Sequence, residues 1–187
     1  MPKDCVLNVL ETERLLLRPF TAADRPLILA IASDPATTKY LYYWGHIGST
    51  PESDADRFLQ YALSSWQEKP IRAREFCIVR KADGVAVGDG NIEWVDDATA
   101  EIGWILLPAY RGKGYATEMG KALVRAGFEV LGAQKIIAHC DERNLPSRHV
   151  MERLGMTLEH IEPEARPIKA PGEKKGNECT YALSPAP

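Results

Sequence analysis

Cysteine is scarce, with four in 187 residues, and none stands in a Cys-x-x-Cys pair. Cys5, Cys77, Cys140 and Cys179 are too scattered for a zinc or redox motif, so reduced thiols and no bound metal are expected. No stretch approaches the about 20 apolar residues needed to span a bilayer, and the charged segment after Met1 is not an apolar leader. A cytoplasmic location away from membranes is expected. Basic charge is not in excess: 23 Lys and Arg against 26 Asp and Glu give a net charge of −3, which argues against a nucleic-acid partner. No repeat or low-complexity segment stands out. What remains, 45% hydrophobic and 26% charged residues, is the balance of a globular protein, and 187 residues suit one domain spanning 1–187.

Periodicity orders the elements. Leu15 to Phe20 reads as a short strand, and Pro19 suits it to an edge or terminal position. Thr21 and Asp24 form a loose capping box for a helix that stops before Pro35. A second helix starts at Thr50-Pro51 and carries Ala55, Phe58, Leu59, Ala62, Leu63 and Trp66 on one stripe. Glu75–Arg80 and Val85–Val95 read as strands joined at Asp83-Gly84, followed by a strand over Thr99–Leu107. Tyr115–Val130 is a helix ending near Gly132, Lys135–Cys140 a strand, Asn144–Leu154 a helix and Met156–Ile161 a strand. A charged loop over Pro163–Gly176, holding Arg166, Lys169, Lys174 and Lys175, precedes a last strand at Glu178–Leu183; solvation is its simplest fate, and a wall of the substrate cleft the alternative. A meander followed by alternating strands and helices predicts an α+β fold with a mixed, mostly antiparallel sheet.

The most informative stretch is Arg111-Gly112-Lys113-Gly114-Tyr115-Ala116, between an apolar strand and a helix. Its glycines let consecutive N–H groups converge, and the helix start adds free amides and a positive dipole end, which together suit a phosphate. It is not a P-loop, because Lys113 is followed by Gly114 and not by a hydroxyl residue. It is a poor dinucleotide fingerprint, because Thr117 stands where a third small residue belongs. With Ala100-Glu101-Ile102-Gly103-Trp104-Ile105-Leu106 ahead of it, the Arg-x-x-Gly-x-Ala pattern resembles the acyl-CoA signature of the GNAT N-acetyltransferase superfamily. Glu11-Thr-Glu-Arg-Leu-Leu-Leu-Arg-Pro-Phe20, Asn144-Leu-Pro-Ser147 and Val150-Met-Glu-Arg-Leu-Gly-Met156 resemble its ribosomal-protein alanine N-acetyltransferase branch. The resemblance spans about residues 10–184.

The resemblance implies a sheet with a splayed central strand pair, helices on both faces, and acetyl-CoA as co-substrate. The backbone amides of Arg111, Gly112, Lys113, Gly114, Tyr115, Ala116 and Thr117 would wrap its pyrophosphate. Main-chain groups of Ile105, Leu106 and Leu107 would pair with the pantetheine arm, one of them donating to the thioester carbonyl. Asn144 would bind that arm, although it is equally a good helix N-cap. Met151 stands where many members carry a tyrosine acid, and the resemblance to the ribosomal-protein branch, where a serine at the Ser147 position is the substitute, implies Ser147 as the candidate proton donor to the leaving thiolate. Glu101 matches the strand glutamate that serves as general base in one branch, with Glu93 as its competitor.

Tyr40-Leu-Tyr-Tyr43-Trp44-Gly-His46 is the densest aromatic cluster and falls where the family covers its acceptor cleft. Tyr40, Tyr43, Trp44 and His46, with Glu93, are therefore substrate-binding candidates, against the alternative of a satellite core beneath a loop. His139 and His149 fall in regular elements and are expected to be structural or superficial. The expected activity is direct acetyl transfer to a primary amine, either a protein N-terminus or a small molecule, by a monomer or homodimer. The alternative is an acyl-CoA-binding sensor without turnover.

Overall fold

A computed structural model describes residues 7–41, 48–67, 70–168 and 172–185. Its strands are Leu10–Glu11 (β1), Leu15–Pro19 (β2), Ala73–Arg80 (β3), Val85–Trp94 (β4), Thr99–Leu106 (β5), Lys135–Asp141 (β6), Thr157–Arg166 (β7) and Gly176–Leu183 (β8). The helices are Arg25–Ala32 (α1), Pro35–Thr38 (α2), Pro51–Ser65 (α3), Tyr115–Arg125 (α4) and Leu145–Arg153 (α5). The strands form one sheet in the order β1-β2-β3-β4-β5-β6-β8-β7. Every neighbouring pair is antiparallel except β5 with β6, whose connection must cross over through α4.

Alternation along β3 explains why helices cover both faces. Phe76 and Ile78 point into a core that includes Ile92, Ile102, Met119 and Leu123, so α4 packs on that side. Cys77 and Val79 point the other way, against Ile28, Ile31, Ala55, Leu59 and Ala62 of α1 and α3. Each such large side chain contributes about 1.5–3 kcal/mol by leaving water. Local chemistry sets the ends. Thr50 and Ser53 close a capping box ahead of Pro51, and Gly84 at φ 70° forms the β3–β4 turn beside the Arg80–Asp83 ion pair. The helix begun as α4 widens into a π-helical turn over Ala126–Leu131 and ends at Gly132, φ 75°.

Three expectations need correction. β2 is not an edge strand, since β1 pairs outside it; Pro19 is tolerated because it is the last paired residue. The strand expected to end at Ile161 continues as β7 through Arg166, with an irregular register between Glu162 and Arg166. Such irregularities re-aim side chains, and Arg166 is buried against Glu178 at 2.9 Å rather than solvated in a loop. The short α2 was absent from the pattern, its four residues being too few for periodicity to register.

Gly88 on β4 faces β5 so closely that a Cβ there would overlap the Ile105 carbonyl oxygen. Gly88→Ala is expected to lower stability by about 1–3 kcal/mol through overpacking, measured by urea denaturation.

Candidate active site

The glycine turn takes the conformation its composition suggests. Gly112 and Gly114 sit at φ 72° and 82°, a region that side-chain-bearing residues disfavour, and Gly114 is the N-cap of α4. The first-turn amides of α4, including those of Tyr115, Ala116 and Thr117, therefore lack intrahelical acceptors and sit at the positive end of its dipole.

Side chains from distant elements hold this turn. Arg14 donates to the Lys113 carbonyl at 3.0 Å, pairs with Glu118 at 2.6 Å and stacks 4.7 Å from the Tyr115 ring centre. Glu118 also accepts from Thr12, and although burial opposes it, these hydrogen bonds hold its carboxyl below the usual range. Arg111 reaches back to the Leu106 carbonyl at 2.9 Å and across to the Thr37 hydroxyl, while Lys113 donates to the Ala109 carbonyl at 2.8 Å. In this structure both basic side chains brace the turn.

The strand ahead of the turn has an open edge. β5 pairs with β6 only at Thr99, Ala100 and Glu101, and the two then part. Val95 N–H donates to Thr99 O, Leu107 N–H donates to Val87 O, and Lys135 N–H donates to Ala98 O. Alternation therefore directs the main-chain groups of odd-numbered residues to β4 and those of even-numbered residues toward β6, where Ile102 N–H closes the last shared bond and Trp104 and Leu106 face the gap. Of the three residues chosen for backbone pairing, Leu106 faces the gap, whereas Ile105 faces β4 and Leu107 donates into the sheet. Trp104, which sequence reasoning passed over, supplies the missing edge position.

Two adjoining cavities follow this edge. One, of about 440 Å³, is lined by Arg111, Gly112, Gly114, Tyr115, Ala116 and Thr117, and by Leu106, Pro146, His149 and Arg153. The other, of about 530 Å³, lies between the sheet and α3 and is lined by Glu75, Asp89, Glu93, Glu101 and His139, with Arg57, Tyr61 and Arg166. Tyr40, Trp104, Ile105, Asn144 and Ser147 border both. Ser147 thus stands where the two spaces meet, and Met151 lines the larger one. The Asn144 side chain accepts from Ser147 N–H at 3.4 Å, realising the N-cap reading. Tyr43, Trp44 and His46 lie outside the described residues.

Electrostatics distinguish the carboxylates. Glu93 and Glu101 are direct cross-strand partners, an unfavourable placement for two like charges. Burial, then Glu93 and Glu178, push the Glu101 carboxyl up to about 7, with Arg166 opposing. Burial likewise raises Glu93. His139 lies 3.7 Å from Glu101 and 3.7 Å from Glu178; burial lowers its pKa against the pull of Glu178. Sequence reasoning assigned His139 to the structure or surface, and its place beside Glu101 follows from the β5–β6 pairing, which no local pattern encodes.

The sequence matches the Acetyltransferase (GNAT) domain over residues 14–157. It is 31% identical over 168 residues to the uncharacterized N-acetyltransferase YnaD of Bacillus subtilis, covering 89% of each chain. It is 37% identical over 146 residues to spermidine N(1)-acetyltransferase of Escherichia coli K12, covering 76% of this chain and 73% of that one. A GNAT-family acetyltransferase structure from Bacillus anthracis superposes with a TM-score of 0.78 at 29% identity, covering 94% of this chain and 98% of the other. With the splayed strand pair, the glycine turn at a helix start and these matches in agreement, the chain belongs to the GNAT acetyltransferase family.

Proposed function

We propose that the protein transfers the acetyl group of acetyl-CoA directly to a primary amine, both substrates being bound together. The observation that carries this reading is the continuity of the two cavities along the open edge of β5, from the glycine turn to Glu101. In this reading the amides at Gly112–Thr117 hold the pyrophosphate. The edge groups of Trp104 and the N–H of Leu106, whose carbonyl accepts from Arg111, pair with the pantetheine arm as an added strand would. Asn144 and Ser147 border the arm at the junction of the cavities.

The chemistry then needs a base, an oxyanion donor and an acid. An ammonium group cannot attack, so a proton must leave the nitrogen first. Glu101, titrating at about 7 in the acceptor cavity, is matched to that task near neutral pH. An edge N–H, with Trp104 the best placed by strand parity, donates to the carbonyl oxygen as negative charge develops. The nitrogen forms the new bond to carbon, the thiolate departs, and Ser147 supplies its proton, itself or through water. Met151 provides no acid at the position one turn further along α5. Buried Cys77, Cys140 and Cys179 have thiols pushed up by burial, which makes them poor nucleophiles for a covalent intermediate.

The Escherichia coli relative's name specifies spermidine, and the branch resemblance points to protein N-termini; both are primary amines. An acyl-CoA sensor on the same fold would bind the co-substrate and show no turnover with any amine.

Glu101→Gln is expected to lower kcat by roughly 10²- to 10⁴-fold while calorimetric affinity for acetyl-CoA stays near wild type; near-normal turnover would remove Glu101 from the mechanism. Because the base must be ionised, kcat/KM should rise with pH through a midpoint near 7. Glu93→Gln removes a charge that raises the Glu101 pKa, so that limb should move to lower pH. Gly114→Asp places a carboxylate at the pyrophosphate site in a backbone conformation that Asp tolerates better than most residues. Its acetyl-CoA affinity should fall by at least about tenfold in calorimetry, and unchanged affinity would detach the turn from the cofactor.

A further inference from the structure

On the sheet face toward α3, Glu75 of β3 and Asp89 of β4 are diagonal neighbours, paired across the strands with Asn91 and Cys77, and both line the acceptor cavity. Both are nearly inaccessible, at 5% and 4% exposure, and their side chains hydrogen-bond each other. Asp89 Oδ1 has no hydrogen-bond partner among the described residues. The lining cations are engaged elsewhere: Arg57 holds Asp54 at 2.6 Å, and Arg166 lies 2.9 Å from Glu178. A buried carboxylate pair without a cation is expensive, because each charge loses water and repels the other.

We propose that Glu75 and Asp89 form a subsite for a second ammonium group of the acceptor, so that the preferred substrate is a small aliphatic diamine or polyamine. The inference rests on the acetyl-transfer reading and deepens it. Asp89 is the cross-strand partner of Ile105, and Glu93, four residues along β4, is the partner of Glu101. Those two strand positions are about 13 Å apart, so one cavity can hold a cationic group at the Asp89 end and a second nitrogen toward Glu101. An ammonium brings up to three donors, enough to satisfy Asp89 Oδ1 and bridge to Glu75. A protein N-terminus presents one such nitrogen and then an amide chain with nothing to neutralise the pair. A metal ion fits less well, since no group of three or more His, Cys, Asp or Glu among the described residues is arranged to hold one. Burial raises both carboxyls, Asp89 to about 7 against its hydrogen bond with Glu75, and the charges of Asp89 and Glu93 add to the rise at Glu75, so the empty pair retains a proton that a bound ammonium would displace.

The test compares α,ω-diaminoalkanes of graded length with n-alkylamines of matching length, at fixed acetyl-CoA, in the wild type, Asp89→Asn and Glu75→Gln. The wild type should favour a diamine in kcat/KM by at least about tenfold, mainly through KM, and both variants should bring that ratio toward one. Calorimetric titration of the same diamines onto the protein without acetyl-CoA reads the subsite independently of turnover. Diamine binding that the variants lose, without turnover, would retain the subsite and remove the transfer reading. Turnover of monoamines and diamines with equal kcat/KM, or a diamine preference that survives in folded variants, would overturn the subsite. Because the variants remove buried charge, circular dichroism should show both folded.

Discussion

The rest of the site depends on the separation of β5 from β6 after Glu101. Up to that residue the two strands share hydrogen bonds, and beyond it the main-chain groups of Trp104 and the N–H of Leu106 face a gap. An open edge inside a sheet is normally a liability, because unpaired amides and carbonyls seek partners. Here it runs between a helix N-terminus and a cavity of about 530 Å³, so a strand-like ligand arm can complete the sheet. The same cavity has an acidic wall, because β4 and β5 present Asp89, Glu93 and Glu101 on one face, with His139 of β6 beside Glu101.

The turn at the other end is held by groups far away in sequence. Arg14, near the start of β2, ties the Lys113 carbonyl to Glu118 in the first turn of α4, and Arg111 links the turn to β5 and α2. Preorganisation of this kind lets backbone amides meet a phosphate without a further ordering cost. The side chains of Arg111 and Lys113 are thus part of the frame that holds these amides.

The acidic wall trades stability for chemistry. Cross-strand Glu93 and Glu101, with buried Glu75 and Asp89, would be poor choices for a sheet that had only to fold. Against them stand two well-packed apolar clusters, one on each face. Sites that violate folding rules in a chain that otherwise obeys them are where function is expected.

The amino-acid sequence by itself determined the order and type of most elements, because period-two and period-3.6 patterns, caps and glycine turns are local. It also identified the glycine turn at the start of α4, since left-handed glycines before a helix act through neighbouring backbone. It could not show that Ile105 and Leu107 spend their amides on β4 while Trp104 faces the gap, because register depends on the partner strand. Nor could it bring His139 and Arg166 to Glu101, or Asp89 to Glu75, since those meetings join β6, β7 and β3 to the central strands. Tertiary structure alone decided which carboxylates lost their water, and burial is a property of packing that no short segment carries.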